Sequence, residues 1–237
     1  MSFRNSVTII ASPRARVGKT LLARLLTEFH AQEGRAVTAF DLNAGGGTLA
    51  QYLPEHTVVS DIGDVKGQMA LFDRLIAEDG TAKIVDLGHT SFESFFTLAQ
   101  QIGFAEEAIK RAIAPAILFL ITPDATSVDA YRGLRSRFPR ALLAPVHNEI
   151  FGSTYRGKYQ FVGSGEVVVR LPVLAPGLRR YAETAPFSFA VPAEAAAMPP
   201  ELQNELQRWL RRAFREFREL DLRNLLADLR SSIRLES

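Results

Sequence analysis

The residues best suited to chemistry lie in a loop near the start of the sequence, from Ser12 to Thr20 (SPRARVGKT). The loop separates an apolar, β-branched segment over residues 7–11 from a segment over residues 18–32 whose leucines recur at helical spacing. Backbone N–H groups at a helix N-terminus bind phosphate, and Gly-Lys-Thr adds an ammonium for the β- and γ-phosphates and a hydroxyl for Mg²⁺. The alternative is a Gly-Lys-Thr that merely begins a helix, and the position between strand and helix favours a nucleotide site. The residues predicted to contact the nucleotide here are Arg16, Val17, Gly18, Lys19, Thr20 and Leu21.

Two more apolar segments end in carboxylates that could serve a cation. Asp41 closes a strand predicted over residues 37–41, and Asp86 lies at the end of one predicted over residues 83–87. Mg²⁺ prefers oxygen ligands, and ligands bind at the carboxyl ends of parallel strands. We therefore expect Thr20, Asp41 and Asp86 to hold Mg²⁺, directly or through its waters. The alternative for Asp86 is capping of the following helix.

The elements that must position these side chains alternate between strand and helix. Short apolar segments separated by helices of ten or more residues predict βαβ units, with parallel strands and both faces of the sheet covered. The predicted fold class is therefore α/β, a doubly wound, mostly parallel sheet. Further strands are predicted over residues 116–121, 141–146 and 167–171, and further helices over residues 68–79, 92–113 with a break near Gly103, 127–138 and 174–182.

The pattern changes toward the C-terminus, which suggests three parts. Residues 1–184 are predicted to form the nucleotide-binding domain, residues 185–200 a linker rich in proline and alanine, and residues 201–237 a helical segment. Apolar residues recur every three or four positions in that segment, so the helix is expected to pack on the domain or on a second subunit. A membrane-lying helix is the alternative, but its acidic residues would repel anionic lipid.

Composition sets limits on function. The 237 residues are 47% hydrophobic and 23% charged, with a net charge of +2, which is weak support for nucleic-acid binding. The chain has no cysteine, which excludes disulfides, thiolate metal sites and a cysteine nucleophile. No apolar run is long enough for a transmembrane segment, and no secretory signal is apparent, so a cytoplasmic protein is expected.

Basic and aromatic residues interleave over residues 151–165, which predicts a hairpin beside the site or a contact with nucleic acid or a partner.

The loop from Arg14 to Thr20 (RARVGKT) overlays on Lys-Gly-Gly-x-Gly-Lys-Thr, the deviant Walker A loop of the ParA/MinD family of P-loop ATPases. The N-terminal two-thirds of the chain resembles that family. The resemblance implies ATP and Mg²⁺ as cofactors and a homodimer that sandwiches ATP, in which Arg14 would reach the phosphates of the other subunit. Pro13, Ala15 and Arg16 depart from the family pattern, because glycines and N–H groups are lost there.

The resemblance also assigns roles to two asparagines. Asn43 follows Lys19 by 24 residues, where the family carries an aspartate that positions the attacking water. Asparagine can orient a water but cannot accept its proton, and losing a general base slows a reaction by about 10²–10⁴-fold. Asn148, after a later strand, is a candidate for base recognition, with a turn residue as the alternative. The glycines over residues 45–47 are either the start of a switch segment or a surface turn.

Together these features predict an ATP-binding switch protein with slow hydrolysis that positions or partitions a cargo, with Lys19, Asn43 and Arg14 as catalytic residues. The alternative is a degenerate, non-hydrolysing relative that acts as a binding or scaffold module. A metabolic kinase or ligase on the same fold would need a substrate motif that the sequence does not contain.

Overall fold

A computed structural model describes residues 6–43, 48–152, 168–190 and 198–235, with side chains described as far as residue 222. These residues form a seven-stranded, all-parallel sheet in the order β3-β2-β4-β1-β5-β6-β7. The strands are β1 (Ser6–Ala11), β2 (Val37–Leu42), β3 (Thr57–Val59), β4 (Ala82–Leu87), β5 (Ala114–Leu120), β6 (Leu142–Asn148) and β7 (Val169–Leu171). The α-helices are α1 (Lys19–Gln32), α2 (Thr48–Tyr52), α3 (Val65–Leu75), α4 (Phe92–Gln101), α5 (Phe104–Lys110), α6 (Ala125–Arg137), α7 (Pro176–Ala182) and α8 (Pro200–Leu235), and a 3₁₀ turn spans Glu149–Phe151.

The predicted doubly wound parallel sheet with a C-terminal helix is confirmed. β1 lies at the centre, paired with β4 on one side and β5 on the other. Each predicted strand is present with its ends shifted by at most two residues, and the predicted break at Gly103 separates α4 from α5. The sequence did not predict α2 and β3, because segments of five and three residues are too short to show a period.

Two hydrophobic cores cover the two faces of the sheet. One contains the buried residues of α3, α4 and α5, where Phe72 stacks on Phe95 with ring centroids 5.5 Å apart. The other lies between α1 and α8, where Phe29 meets Phe214 and Phe217 at 5.3 and 5.5 Å. Both faces are therefore buried, as a parallel sheet requires.

Helix α8 packs on the domain along one stripe. Its buried residues recur every three or four positions and are Leu206, Trp209, Leu210, Ala213, Phe214, Phe217 and Leu220. Trp209 donates from Nε1 to the carbonyl of Pro172 at 3.0 Å, which ties α8 to the segment after β7. Phe189, just before residues 191–197, packs against Trp209 at 5.5 Å. Within the described ranges, no helix is long and apolar enough to cross a bilayer.

Candidate functional site

The loop predicted to bind phosphate connects the end of β1 to the start of α1. Arg16 and Gly18 both have left-handed backbone conformations, with φ of 58° and 101°. A Cβ on Gly18 would lie 2.7 Å from Nδ2 of Asn148, so this position requires glycine for its conformation and its close approach. Asn148 donates that same amide to the carbonyl of Val17 at 3.0 Å, which fixes the loop against the end of β6.

Lys19 begins α1 with its side chain turned back over the loop. Its side chain is buried, with 7% of the residue exposed, and Nζ donates to the carbonyl of Arg14 at 2.7 Å. Burial lowers the pKa of Lys19, partly offset by the attraction of Asp86. A desolvated ammonium with one carbonyl partner retains two N–H donors for an anion.

Two buried carboxylates lie next to the lysine because β2 and β4 are paired. Asp41 and Asp86 are register partners at the carboxyl ends of these strands, and neither is exposed. Thr20 donates from Oγ1 to Asp86 at 2.7 Å. Burial and, to a smaller extent, the neighbouring Asp41 raise the pKa of Asp86 to about 6, against the lowering effect of the hydrogen bonds from Thr20 and Asn43.

Asn43 links the two carboxylates. Its Nδ2 donates to Oδ1 of Asp41 at 2.7 Å and to Oδ2 of Asp86 at 2.9 Å. The other oxygen of Asp41 accepts from the backbone N–H groups of Leu49 and Ala50 at 2.6 and 3.2 Å, so Asp41 also holds the first turn of α2. Asp86 does not cap the following helix α4, whose N-cap is Ser91.

The donor set suits Mg²⁺. Oδ1 of Asp86 is buried and has no hydrogen-bond partner among the described residues, and Thr20 lies beside the same carboxylate. The described part of the chain contains no cluster of three or more His, Asp or Glu side chains that could hold a metal. Mg²⁺ is usually bound through one or two carboxylates together with nucleotide phosphates. Thr20 and Asp86 fit such a site, whereas both oxygens of Asp41 are already occupied as acceptors.

Arg14 lies at the rim of the loop and is paired within its own chain. Its guanidinium donates to Asp124 through Nε and Nη2, and 44% of the Arg14 side chain is exposed. This pairing lowers the pKa of Asp124 to about 2. Asp124 also caps α6 by accepting from the backbone N–H of Ser127 at 3.2 Å.

A cavity of about 320 Å³ opens beside the loop. Its lining includes Arg16, Thr20, Arg24, Tyr52, Asn148 and Arg179. The side chains of three arginines therefore contribute to the lining of the cavity. Asn148 also lines the cavity, but both ends of its amide are already hydrogen-bonded. Nδ2 donates to the carbonyl of Val17, and Oδ1 accepts from the backbone N–H of Ile150 at 3.1 Å.

Arg24 is a residue of this region that the sequence analysis did not single out. It lies one turn after Thr20, and its guanidinium stacks on the rings of Tyr52 and Phe189 at 3.8 and 4.5 Å. It donates to the carbonyls of Ala182 and Phe187 at 2.7 and 3.1 Å. An arginine four residues after Thr20, among the leucines of α1, is the signal that could have revealed it.

The predicted site residues thus divide into three groups. The structure brings together Lys19, Thr20, Asp41, Asn43 and Asp86, and it places Arg16, Val17, Gly18, Leu21 and Asn148 around the neighbouring loop and cavity. Arg14 lies at the rim. The glycines over residues 45–47 and the basic, aromatic segment over residues 153–165 lie outside the described residues.

Comparison with known proteins shows which fold the chain shares with solved structures and does not assign the chain to a family. No protein-family model matches the sequence, and no curated protein matches it. The structure resembles the MinD cell division protein of Aquifex aeolicus in its complex with MinC, at 15% identity and a TM-score of 0.57 over 90% of this chain and 96% of that one. MinD from the same organism gives a TM-score of 0.53 at 14% identity, over 90% and 97% of the two chains. The chain therefore has the MinD-like P-loop NTPase fold.

Proposed function

We propose that this chain is an ATP-binding switch protein of the ParA/MinD type, which dimerises around nucleotide, hydrolyses it slowly and positions or partitions a cargo inside the cell. The observation that carries the proposal is the buried Lys19 ammonium, held over the phosphate loop beside Thr20 and Asp86. The fold shared with MinD supports the same class of protein.

The residues of the loop supply the groups that bind a nucleotide. Lys19 can exchange its carbonyl partner for phosphate oxygens without leaving its buried position, because its ammonium is already desolvated. A helix N-terminus attracts anions, and α1 begins at Lys19, directly after the left-handed turns at Arg16 and Gly18. Mg²⁺, held by Thr20 and by Asp86 directly or through water, would neutralise phosphate charge.

The structure also offers a route to dimerisation. Arg14 is partly exposed and bonded to Asp124, so a second subunit that presents nucleotide phosphates would compete with Asp124 for the guanidinium. Arginine is well suited to this exchange, because its planar fork binds carboxylate and phosphate with similar geometry. In the proposed dimer Arg14 contacts the phosphates of the opposite subunit.

Asn43 favours slow hydrolysis and supports a second candidate function. The side chain cannot accept a proton, and its N–H groups are bonded to Asp41 and Asp86. We expect turnover well below the roughly 1–10³ s⁻¹ of typical enzymes. A protein that binds ATP and releases no phosphate in a single-turnover assay is instead the non-hydrolysing binding or scaffold module.

Calorimetric titration of ATP in the presence of Mg²⁺ tests the proposal. The wild-type chain is expected to bind ATP, and Lys19→Ala to bind it at least about 100-fold more weakly, because a charge-assisted contact with phosphate is lost. Lys66→Ala is the matched control, since Lys66 is an exposed lysine on α3. Equal affinity of wild type and Lys19→Ala would contradict the proposal, and a parallel titration with GTP establishes base preference.

A further inference from the structure

Asn43 occupies an unusual place between two buried acids. Asp41 and Asp86 are fully buried register partners on adjacent strands. Two carboxylates this close, away from water, repel each other strongly. A single side-chain nitrogen donates to both of them, at 2.7 and 2.9 Å, and the backbone N–H of Asn43 also donates to Asp41 at 3.1 Å.

We infer that Asn43 is a positioning residue, a neutral bridge whose amide holds Asp41 and Asp86 together so that this site keeps its arrangement without a divalent cation. An aspartate at this position would place a third carboxylate against the first two and would need a cation between them. The inference rests on the proposed function for the identity of the site. It deepens that function by giving Asn43 a role in holding the site together.

The other donors near the two acids cannot replace the amide. Thr20 donates only to Asp86, and the N–H groups of Leu49 and Ala50 donate only to the far oxygen of Asp41. Lys19 attracts Asp86, but its Nζ donates to the carbonyl of Arg14 and makes no hydrogen bond to either carboxylate within the described residues. Asn43 is thus the only described side chain with hydrogen bonds to both carboxylates.

The bridge also connects the site to α2. Asp41 holds the first turn of that helix through its second oxygen while its first oxygen accepts from Asn43. Residues 44–47 join Asn43 to α2 in the sequence. Loss of the bridge is therefore expected to loosen both Asp86 and the start of α2, with a measurable loss of stability.

Thermal unfolding without nucleotide tests the inference, so the outcome does not depend on ATP binding. The midpoint Tm is measured with a chelator and with millimolar MgCl₂ at matched ionic strength. The Tm of wild type is expected to be nearly the same in both. Asn43→Asp is expected to unfold about 5 °C or more below wild type in chelator and to recover most of the difference in Mg²⁺.

Two further variants separate charge from packing. Asn43→Leu keeps the branched shape of the side chain but has no donor, so its Tm should fall in chelator and recover less in Mg²⁺ than that of Asn43→Asp. Asn204→Asp adds the same charge at an exposed position of α8 and should show no dependence of Tm on Mg²⁺. Titration of MgCl₂ alone should show binding about tenfold tighter in Asn43→Asp than in wild type, because a ligand charge is added.

Three results would overturn the inference. Asn43→Asp could match wild type in chelator, wild type could gain as much from Mg²⁺ as Asn43→Asp does, or both position-43 variants could lose stability equally with no response to Mg²⁺. Failure of the proposed function has a different signature, because a protein that does not bind ATP can still show the expected pattern of Tm values.

Discussion

Gly18 is the residue on which the shape of the phosphate loop depends most directly. It has φ of 101°, and a Cβ there would enter the space of the Asn148 amide. Asn148 cannot move aside without losing its bonds to the loop at Val17 and to the turn at Ile150. The close contact between loop and β6 therefore depends on the absence of a side chain.

We predict that Gly18→Ala weakens ATP binding and lowers the free energy of unfolding, by clearly more than the roughly 1–2 kcal/mol of a left-handed alanine alone. Gly34→Ala is the matched control, because Gly34 has φ of 71° and an added Cβ there meets nothing within 4 Å. Urea unfolding and ATP titration compare the two variants. Equal losses would mean that backbone conformation alone accounts for the effect.

Sequence alone predicts the candidate site where residue type and spacing are both diagnostic. Lys19 and Thr20 were predicted from a motif between strand and helix, and Asp41 and Asp86 from their places at the ends of strands. Arg24 and Tyr52 were missed because their contact joins α1 to a five-residue helix that shows no period. The bridging contacts of Asn43 could not be predicted from the sequence either, since they depend on the pairing of β2 with β4.

Helix α1 also carries a buried carboxylate, which lies away from the candidate site. Glu28 is 2% exposed, and its Oε2 accepts from the backbone N–H of Ala190 at 2.6 Å and from Ser188 at 3.3 Å. Its Oε1 has no partner within the described ranges. Burial raises the pKa of Glu28 to about 7, against the lowering effect of these donors and of Arg24 on the same helix.

This shift makes stability depend on pH. Because the pKa is raised in the folded state, the stabilising contribution of the protonated Glu28 is complete below pH 4.5 and is lost as the pH rises to about 7. The full loss corresponds to about 3 kcal/mol. Glu28→Gln is neutral at every pH and should therefore gain stability relative to wild type as the pH rises through this window.

Urea unfolding at a series of pH values from about 5 to 8 measures that difference. Asp86, with its pKa of about 6, titrates in both proteins and cancels in the comparison. Glu201→Gln removes an exposed carboxylate of α8 and serves as the control. A difference between Glu28→Gln and wild type that does not change with pH would contradict the prediction.

The elements of the fold were predictable in proportion to their length. β1, α1 and β5 are long enough for apolar runs or helical spacing to identify them. β3 is a three-residue edge strand in which one residue is exposed, so its sequence has no buried pattern. Its place at the edge of the sheet is fixed by pairing with β2, which is a tertiary contact and not a local preference.

The whole molecule is predicted to change its oligomeric state with nucleotide. ATP should raise the dimer fraction measured by light scattering, and Arg14→Ala should remove that rise without abolishing ATP binding. Arg140→Ala, which removes an exposed arginine between α6 and β6, is the control. A mass that does not respond to ATP, or a rise that survives in Arg14→Ala, would contradict the proposed sandwich dimer.

The contact between α1 and α8 has a consequence for biosynthesis. Phe29 packs against Phe214 and Phe217, which the ribosome adds some 185 residues later, so this contact cannot form before then. Until then, the apolar surface of α1 around Phe29 lacks its cover, and such surfaces promote aggregation. Contacts this distant in sequence also slow folding. Chains released early, before α8 is translated, should therefore be recognised by chaperones and proteases even though every strand of the sheet has already been made.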